Sequence, residues 1–229
     1  MKEKRIFYCE IAYVIGIIAL AFGTAFMEKA DFGMSMIVAP AYLIHLKVSQ
    51  YFSFFTFGMS EYIFQALLLV LLSIAMHRIK KSYLLSFVTA FLYGVILDVF
   101  ISVVAIFPYD GIAWRIAFYA VGMLMCTFGV ALLFRTYIPP EAYELLVKEL
   151  SQKYGVSIER LKTIYDFASL LLSIVLSFVF FGFGVFVGVS WGTVVCAILN
   201  GWLIGINSRW LDRFFVFKDA LKLRNKIGI

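Results

Sequence analysis

The chain has 229 residues, of which 63% are hydrophobic and 15% are charged, and its mean hydropathy is +0.96. This composition excludes a soluble domain of this size, because too much apolar surface would stay in contact with water. The net charge of +6 is typical of a membrane protein that contacts anionic lipid headgroups, and no basic run accompanies a nucleic-acid-binding motif. We therefore expect an all-α membrane protein with lipids, and no nucleic acid, as partners.

Six windows of about 20 apolar residues are long enough to cross a hydrocarbon core of roughly 30 Å as helices. The sequence therefore predicts six transmembrane helices in one integral membrane domain that covers residues 1–229. The windows are residues 6–27, 53–76, 83–107, 112–134, 164–183 and 187–207.

The positions of the basic residues agree with this count. If the N-terminus is cytoplasmic, 17 of the 20 Lys and Arg residues fall in cytoplasmic segments, and only Lys29, Lys47 and Arg115 fall outside. This bias follows the positive-inside rule. We predict that both termini lie in the cytoplasm.

A sparse pattern occurs twice along the chain at an offset of 106 residues. Further matches follow in the same order, Tyr62 with Tyr165 and Gly94 with Gly201. Each half contributes three spans, an odd number, so the second half must enter the membrane from the opposite side. We predict two inverted repeats, at about residues 6–108 and 112–207. The first pattern pairs Tyr13, Gly16, Phe22, Gly23 and Ala25 with Tyr119, Gly122, Phe128, Gly129 and Ala131.

The segment after the first span of each half is the least lipid-like part of that half. It contains Gly33, Ser35 and Pro40 in the first half, and Pro140 and Glu141 in the second. Two interpretations stay open: simple connectors that each start a helix, or gates and half-helices along a substrate path. The second segment leads into an amphipathic helix, which we expect to lie on the membrane surface or against the bundle. Its apolar positions are 143, 146, 147, 150 and 154, and its opposite face carries Glu144, Lys148 and Ser151.

The C-terminal residues show a second amphipathic pattern. Trp210, Phe214, Phe217 and Leu221 recur at spacings of four, three and four residues, while the basic side chains lie off that stripe. This pattern predicts a cytoplasmic helix over about 208–226 that lies on an anionic membrane surface. A protein partner is the alternative occupant of the same surface.

Four short motifs resemble those of the YczE/YyaS/YitT-like family of bacterial integral membrane proteins, over roughly residues 8–207. The resemblance implies a multi-pass protein of the bacterial cell membrane, and it brings no established reaction or substrate. The motifs are Gly33-Met34-Ser35 with Ala39-Pro40, Pro139-Pro140-Glu141-Ala142-Tyr143, Lys162-Thr163-Ile164-Tyr165-Asp166, and Gly192-Thr193 with Asn200-Gly201.

Acidic and amide side chains within the spans are candidates for a substrate site, because an unpaired charge in hydrocarbon is costly and normally faces protein or water. Asp98 lies well inside the third span and needs a basic or hydroxyl partner from another helix, or a proton. Asn200 lies in the last span, where hydrogen bonding between helices is its alternative use. Glu61 and Asp166 open the second span of each half, where an acidic residue can simply complement the helix dipole. The predicted substrate-binding set is Asp98, Asn200, Glu61, Asp166, Gly33, Ser35, Pro40, Pro140 and Glu141.

The duplicated organisation favours a carrier that moves a small polar or anionic solute by alternating access. The alternatives are a small-molecule-binding subunit that works with an ATPase partner, and a membrane scaffold or sensor. We expect no enzyme, because His45 and His77 lie on opposite sides of the membrane and no protease or Walker motif occurs. We likewise predict no metal and no cofactor, and a homo-oligomer stays open.

Overall fold

The computed structural model describes residues 4–107 and 111–221. All of its helices except the second and the sixth are long and apolar enough to cross a membrane, the span within the seventh being Arg160–Phe181. The prediction of an all-α, multi-pass membrane protein is therefore confirmed. The described elements are β1 (Arg5–Tyr8), α1 (Cys9–Ala30), α2 (Ala39–Val48), α3 (Phe57–Met76), α4 (Lys81–Ala105), α5 (Ile112–Leu133), α6 (Ala142–Tyr154), α7 (Ile158–Phe181), α8 (Trp191–Phe214) and β2 (Phe215–Lys218).

Local sequence signals set several helix ends. Thr56 precedes α3, and its hydroxyl accepts a hydrogen bond from the Met59 N–H at 3.1 Å. Ser190 precedes α8 and forms a reciprocal capping box with Thr193. These side chains satisfy N–H groups that have no partner within the helix. Helix α6 ends at Gly155, which takes a φ of 65°, the left-handed conformation in which helices commonly end.

The two strands pair in parallel and bring the two ends of the described chain together. Arg5 pairs with Phe215 and Tyr8 with Lys218, so β1 and β2 lie at one end of the helix bundle, which we call the strand end; the opposite end is the far end. The first and last described segments therefore lie at the same end of the bundle. Their cytoplasmic location stays a prediction.

The predicted amphipathic helix over 208–226 is wrong in its central part. Helix α8 continues to Phe214, but residues 215–218 form β2. The aromatic side chains explain the change, because Phe7 of β1 packs against Phe215 and Phe217 with ring centroids 5.3 and 5.6 Å apart. Of these three rings, Phe217 was predicted to face lipid. Residues 222–226 lie outside the described residues.

Helices α1 and α5 cross at the centre of the bundle through two glycine contacts. A β-carbon on Gly23 would lie 2.6 Å from the Gly122 carbonyl oxygen, and one on Gly129 would lie 2.7 Å from that of Gly16. The helices are therefore antiparallel and very close. Because the repeat aligns Gly16 with Gly122 and Gly23 with Gly129, exchanging the two halves converts one contact into the other. An inverted repeat would give these contacts, and the repeat itself stays a prediction.

Each short helix packs against a long helix of the other half, α2 against α7 and α6 against α3. The Tyr143 hydroxyl near the start of α6 donates a hydrogen bond to Glu61 at 2.9 Å, and Lys153 near its end donates one to the Ala75 carbonyl at 2.6 Å. Helix α6 thus begins inside the bundle and ends at the strand end. Helix α2 ends at the far end, where Lys47 donates a hydrogen bond to the Phe180 carbonyl at 3.0 Å.

The predicted polar face of α6 is largely buried. Glu144 and Ser151 are 4% and 9% exposed, whereas Lys148 is exposed. Helix α6 therefore lies against the bundle and not on the membrane surface. The carboxylate of Glu144 therefore faces the interior of the protein.

Candidate functional site

A small cavity lies where the two short helices begin. Its volume is about 40 Å³, enough for roughly one to three water molecules. Val38 and Glu141, the residues that precede α2 and α6, both line it. The two short helices thus approach one cavity from opposite ends of the bundle, and their N-termini carry positive partial charge. The polar side chains that line the cavity are Thr24, Ser35, Tyr93, Cys126, Glu141, Tyr143, Glu144, Cys196 and Asn200.

Hydroxyl groups fix part of the cavity wall. Tyr93 of α4 donates a hydrogen bond to the Thr24 hydroxyl at 2.9 Å, and Thr24 donates in turn to the Leu20 carbonyl at 3.0 Å. Tyr93 is 1% exposed and Thr24 is 2% exposed. Buried hydroxyls of this kind are normally hydrogen-bonded, and here the bonds hold α4 against α1.

Gln65 connects the carboxylates near the start of α6. Its Nε2 donates hydrogen bonds to Glu141 at 3.1 Å and to Glu61 at 3.4 Å, while its Oε1 accepts one from the Ala142 N–H at 3.0 Å. Glu61 also accepts the bond from Tyr143. Gln65 and Glu61 are completely buried. One amide therefore serves two acidic side chains.

Each of three buried carboxylates keeps one oxygen without a hydrogen bond from any described residue: Glu61 Oε1, Glu141 Oε1 and Glu144 Oε2. Burial raises the pKa of Glu141 well above its usual value, and the neighbouring Glu144 and Glu61 raise it further. Burial also raises the pKa of Glu144, although the positive charge of Lys162 opposes this. Burial therefore favours the protonated forms of Glu141 and Glu144.

A larger cleft of about 540 Å³ separates α7 from α8. Lys162 and Asp166 of α7 form an ion pair with an N–O distance of 3.2 Å and line this cleft together with Arg209 of α8. Lys162 and Arg209 lie near the strand end. Aromatic and aliphatic side chains, including Phe167 and Trp202, form the rest of the wall.

The corresponding helix pair of the first half is closed. A β-carbon on Gly94 of α4 would lie 2.6 Å from the Gly58 carbonyl oxygen of α3. Gly201 of α8, which the repeat aligns with Gly94, has no heavy atom of another element within 4 Å of the same position, and neither has Gly205. Helices α3 and α4 are therefore in close contact at Gly94, whereas α7 and α8 are further apart at the aligned Gly201.

Asp98 does not line either the cavity or the cleft. Its carboxylate accepts hydrogen bonds from the Thr56 hydroxyl at 2.6 Å and from the Gly58 N–H at 2.8 Å. The predicted hydroxyl partner from another helix is therefore present. Asp98 stabilises the N-terminus of α3 and its packing against α4, which is a structural role.

The other predicted residues fall into three places. Ser35, Glu141 and Asn200 line the cavity, with Glu61 directly behind it, and Asp166 lines the cleft. Pro40 and Pro140 are buried near the starts of the short helices, where the Pro140 carbonyl accepts a hydrogen bond from Ser86 at 2.6 Å. Gly33 takes a φ of 91° and lies against Ser190 and Thr193 at the start of α8.

Sequence reasoning did not select Gln65, Glu144 or Lys162 as site residues. Gln65 is a lone amide in a Leu-rich span, which is the same signal as that of Asn200. Glu144 was assigned to an outer polar face. Lys162 lies one helical turn before Asp166, a spacing that favours an ion pair.

The chain matches one family over residues 7–209, which include the cavity, the cleft and all six candidate spans apart from the last turn of α8. No curated protein and no solved structure is similar enough to match. The match covers most of the chain. The protein therefore belongs to DUF6198, a family of unknown function.

Proposed function

We propose that this membrane protein is a carrier that moves a small polar or anionic solute by alternating access, with its two halves acting as inverted repeats. The observation that carries the proposal is the unequal packing of two matching helix pairs, α3–α4 and α7–α8. Gly58 and Gly94 touch, whereas Gly201 faces open space.

In the second state of such a carrier, α7 and α8 would be in close contact and α3 and α4 would be apart. The closed contact between Gly58 and the Gly94–Asp98 turn lies toward the far end, whereas the open cleft lies toward the strand end, with Lys162 and Arg209. Closing α7 on α8 while α3 separates from α4 would move access from one side of the membrane to the other. This is the motion expected of inverted repeats.

The cleft supports a polar or anionic solute. The side chains that line it include two cations, Lys162 and Arg209, and one carboxylate, Asp166. An anionic group would be attracted by this excess of positive charge, and the apolar wall would accommodate the rest of a small molecule. The acidic side chains that line the small cavity, Glu141 and Glu144, disfavour an anion there.

The test combines binding and flux. Purified protein is screened against a metabolite library by thermal shift, and each hit is then measured for flux in liposomes. Gly201→Leu should keep binding and lose flux, because its side chain fits the open cleft and prevents closure. The control Val195→Leu adds bulk on an exposed part of α8 outside the cleft lining and should transport normally.

The outcomes separate the alternatives. Tight binding by the wild type without flux would favour the subunit that needs an ATPase partner. Equal flux by Gly201→Leu and wild type would contradict closure of the cleft. The absence of any hit would favour the scaffold or sensor.

A further inference from the structure

The buried acidic group beside the cavity has an unbalanced charge. Lys162 is paired with Asp166, and Glu61, Glu141 and Glu144 have no ion pair among the residues that the structure describes. Their exposed fractions are 0%, 2% and 4%. Three charged carboxylates at this depth would be very costly, so the site needs a bound positive species.

The geometry identifies that species as a proton. Glu61 and Glu141 both accept from Gln65, so they lie on either side of one amide and do not share a ligand position. In the described part of the chain, no three acidic, His or Cys side chains converge as metal ligands. A proton requires only one carboxyl oxygen, and each of these side chains has one free.

We propose that Glu141 and Glu61, bridged by Gln65, form a proton-binding site that couples the carrier to a proton gradient. The coupling role rests on the proposed function, whereas the proton-binding site does not. On release, the O–H bond of the Glu141 carboxylic acid breaks and the proton passes to water in the cavity. The resulting carboxylate keeps its hydrogen bond from Gln65, and rebinding reverses both steps.

The position of Glu141 suits this role. It directly precedes α6, so its carboxyl lies at the positive end of that helix, which makes a transient carboxylate tolerable. It also lines the cavity, which has room for the water that accepts the proton. Glu144 lies one turn away and is influenced by Lys162 and Asp166 of the cleft, so a change in the cleft alters the charge near Glu141.

Charged and titratable groups face Glu141 from each of the surrounding elements. Those that act on it or on its immediate neighbours are Tyr13 of α1, Glu61 of α3, Tyr93 of α4, Cys126 of α5, Tyr143 and Glu144 of α6, Lys162, Tyr165 and Asp166 of α7, and Cys196 of α8. Acidic groups outnumber the one cation, so the surroundings favour proton uptake.

Infrared spectroscopy of the purified protein tests the site without any transport assay. The wild type should show the C=O band of a protonated carboxyl at pH 7, where an ordinary Glu is ionised, and the band should disappear at alkaline pH. Glu141→Gln should weaken it. The control Glu149→Gln removes a carboxylate of the same helix that is paired with Lys80 at 2.6 Å and should leave the band unchanged.

Absence of the band in the wild type at pH 7 would overturn the proposal, and so would a band of full strength in Glu141→Gln. The wild-type titration decides the matter even if the variant does not fold. In liposomes, one coupled proton should let a gradient of one pH unit support about tenfold accumulation of the solute. Glu141→Gln should exchange the solute without accumulating it.

Accumulation by Glu141→Gln equal to wild type would refute the coupling. Failure of every protein to transport would refute the proposed function, and the infrared result would still decide whether the proton site exists.

Discussion

The amide of Gln65 lies between the two halves of the protein, 3.1 Å from the Glu141 carboxylate. Gln65 belongs to α3 of the first half, and Glu141 precedes α6 of the second. The same amide group accepts the hydrogen bond of the Ala142 N–H. One side chain therefore holds the start of α6 in place inside the bundle.

Replacement of Gln65 by Leu should destabilise the protein. The variant leaves the Ala142 N–H and one Glu141 oxygen buried without their partner, which costs about 1–3 kcal/mol. The melting temperature in detergent measures the effect. Gln152→Leu, at an exposed position of α6, should change the stability by less than about 0.5 kcal/mol. Equal losses would show that the Gln65 contacts do not hold α6.

Alanine at the two matching glycines should give opposite results. Gly94→Ala places a β-carbon 2.6 Å from the Gly58 carbonyl oxygen, and such overpacking costs about 1–3 kcal/mol. Gly201→Ala meets no atom within 4 Å and should gain up to about 1 kcal/mol from helix propensity. Thermal melting of both variants checks the difference. Equal destabilisation would mean that α7 and α8 are packed in solution.

The stability of the folded protein should decrease as the pH rises above 4.5, the ordinary pKa of a Glu side chain. The pKa of Glu141 is raised from 4.5 by burial, so the folded protein keeps a proton that the unfolded chain releases. This contribution is complete below pH 4.5 and is lost as pH rises through the raised pKa. Melting temperatures from pH 4.5 upward should fall less steeply in Glu141→Gln, while Glu149→Gln should keep the wild-type slope. An unchanged slope in Glu141→Gln would contradict the prediction.

Cysteine labelling should place the far end outside the cell. Gln50 follows α2 at the far end, and Gln152 lies near the end of α6 at the strand end; both are exposed. A membrane-impermeant maleimide should label Gln50→Cys in intact cells and Gln152→Cys only after permeabilisation. The reverse pattern would invert the topology deduced from the basic residues.

The spans were predictable because transfer into lipid depends on local composition. Each apolar window corresponds to a long helix, although α7 begins several residues before the window at 164–183. The burial of α6 was not predictable in the same way. Its exposed or buried state depends on α3 and α7, and an amphipathic pattern shows only that two faces differ. Resemblance to the YczE/YyaS/YitT-like family stays a prediction.

The candidate site was predictable only in part. Ser35 and Glu141 were selected from the least lipid-like segments and Asn200 as a polar residue within a span, and the fold places all three at one cavity. Asp98 satisfied the same criterion, yet its carboxylate binds Thr56 and Gly58. A carboxylate that caps a helix and one that faces a cavity have the same sequence signal, because their partners are distant along the chain.

The strand pair joins the first and last described segments of the chain, since β1 spans Arg5–Tyr8 and β2 spans Phe215–Lys218. During synthesis, β1 leaves the ribosome before α1, and its partner strand follows only after α8. The β1 backbone therefore has no native partner strand until all six spans have been made. Its pairing with β2 is a long-range contact that forms late. Pairing of these strands therefore shows that all six spans between them have been made, and a chain that ends before residue 215 leaves an unpaired strand edge open to other proteins.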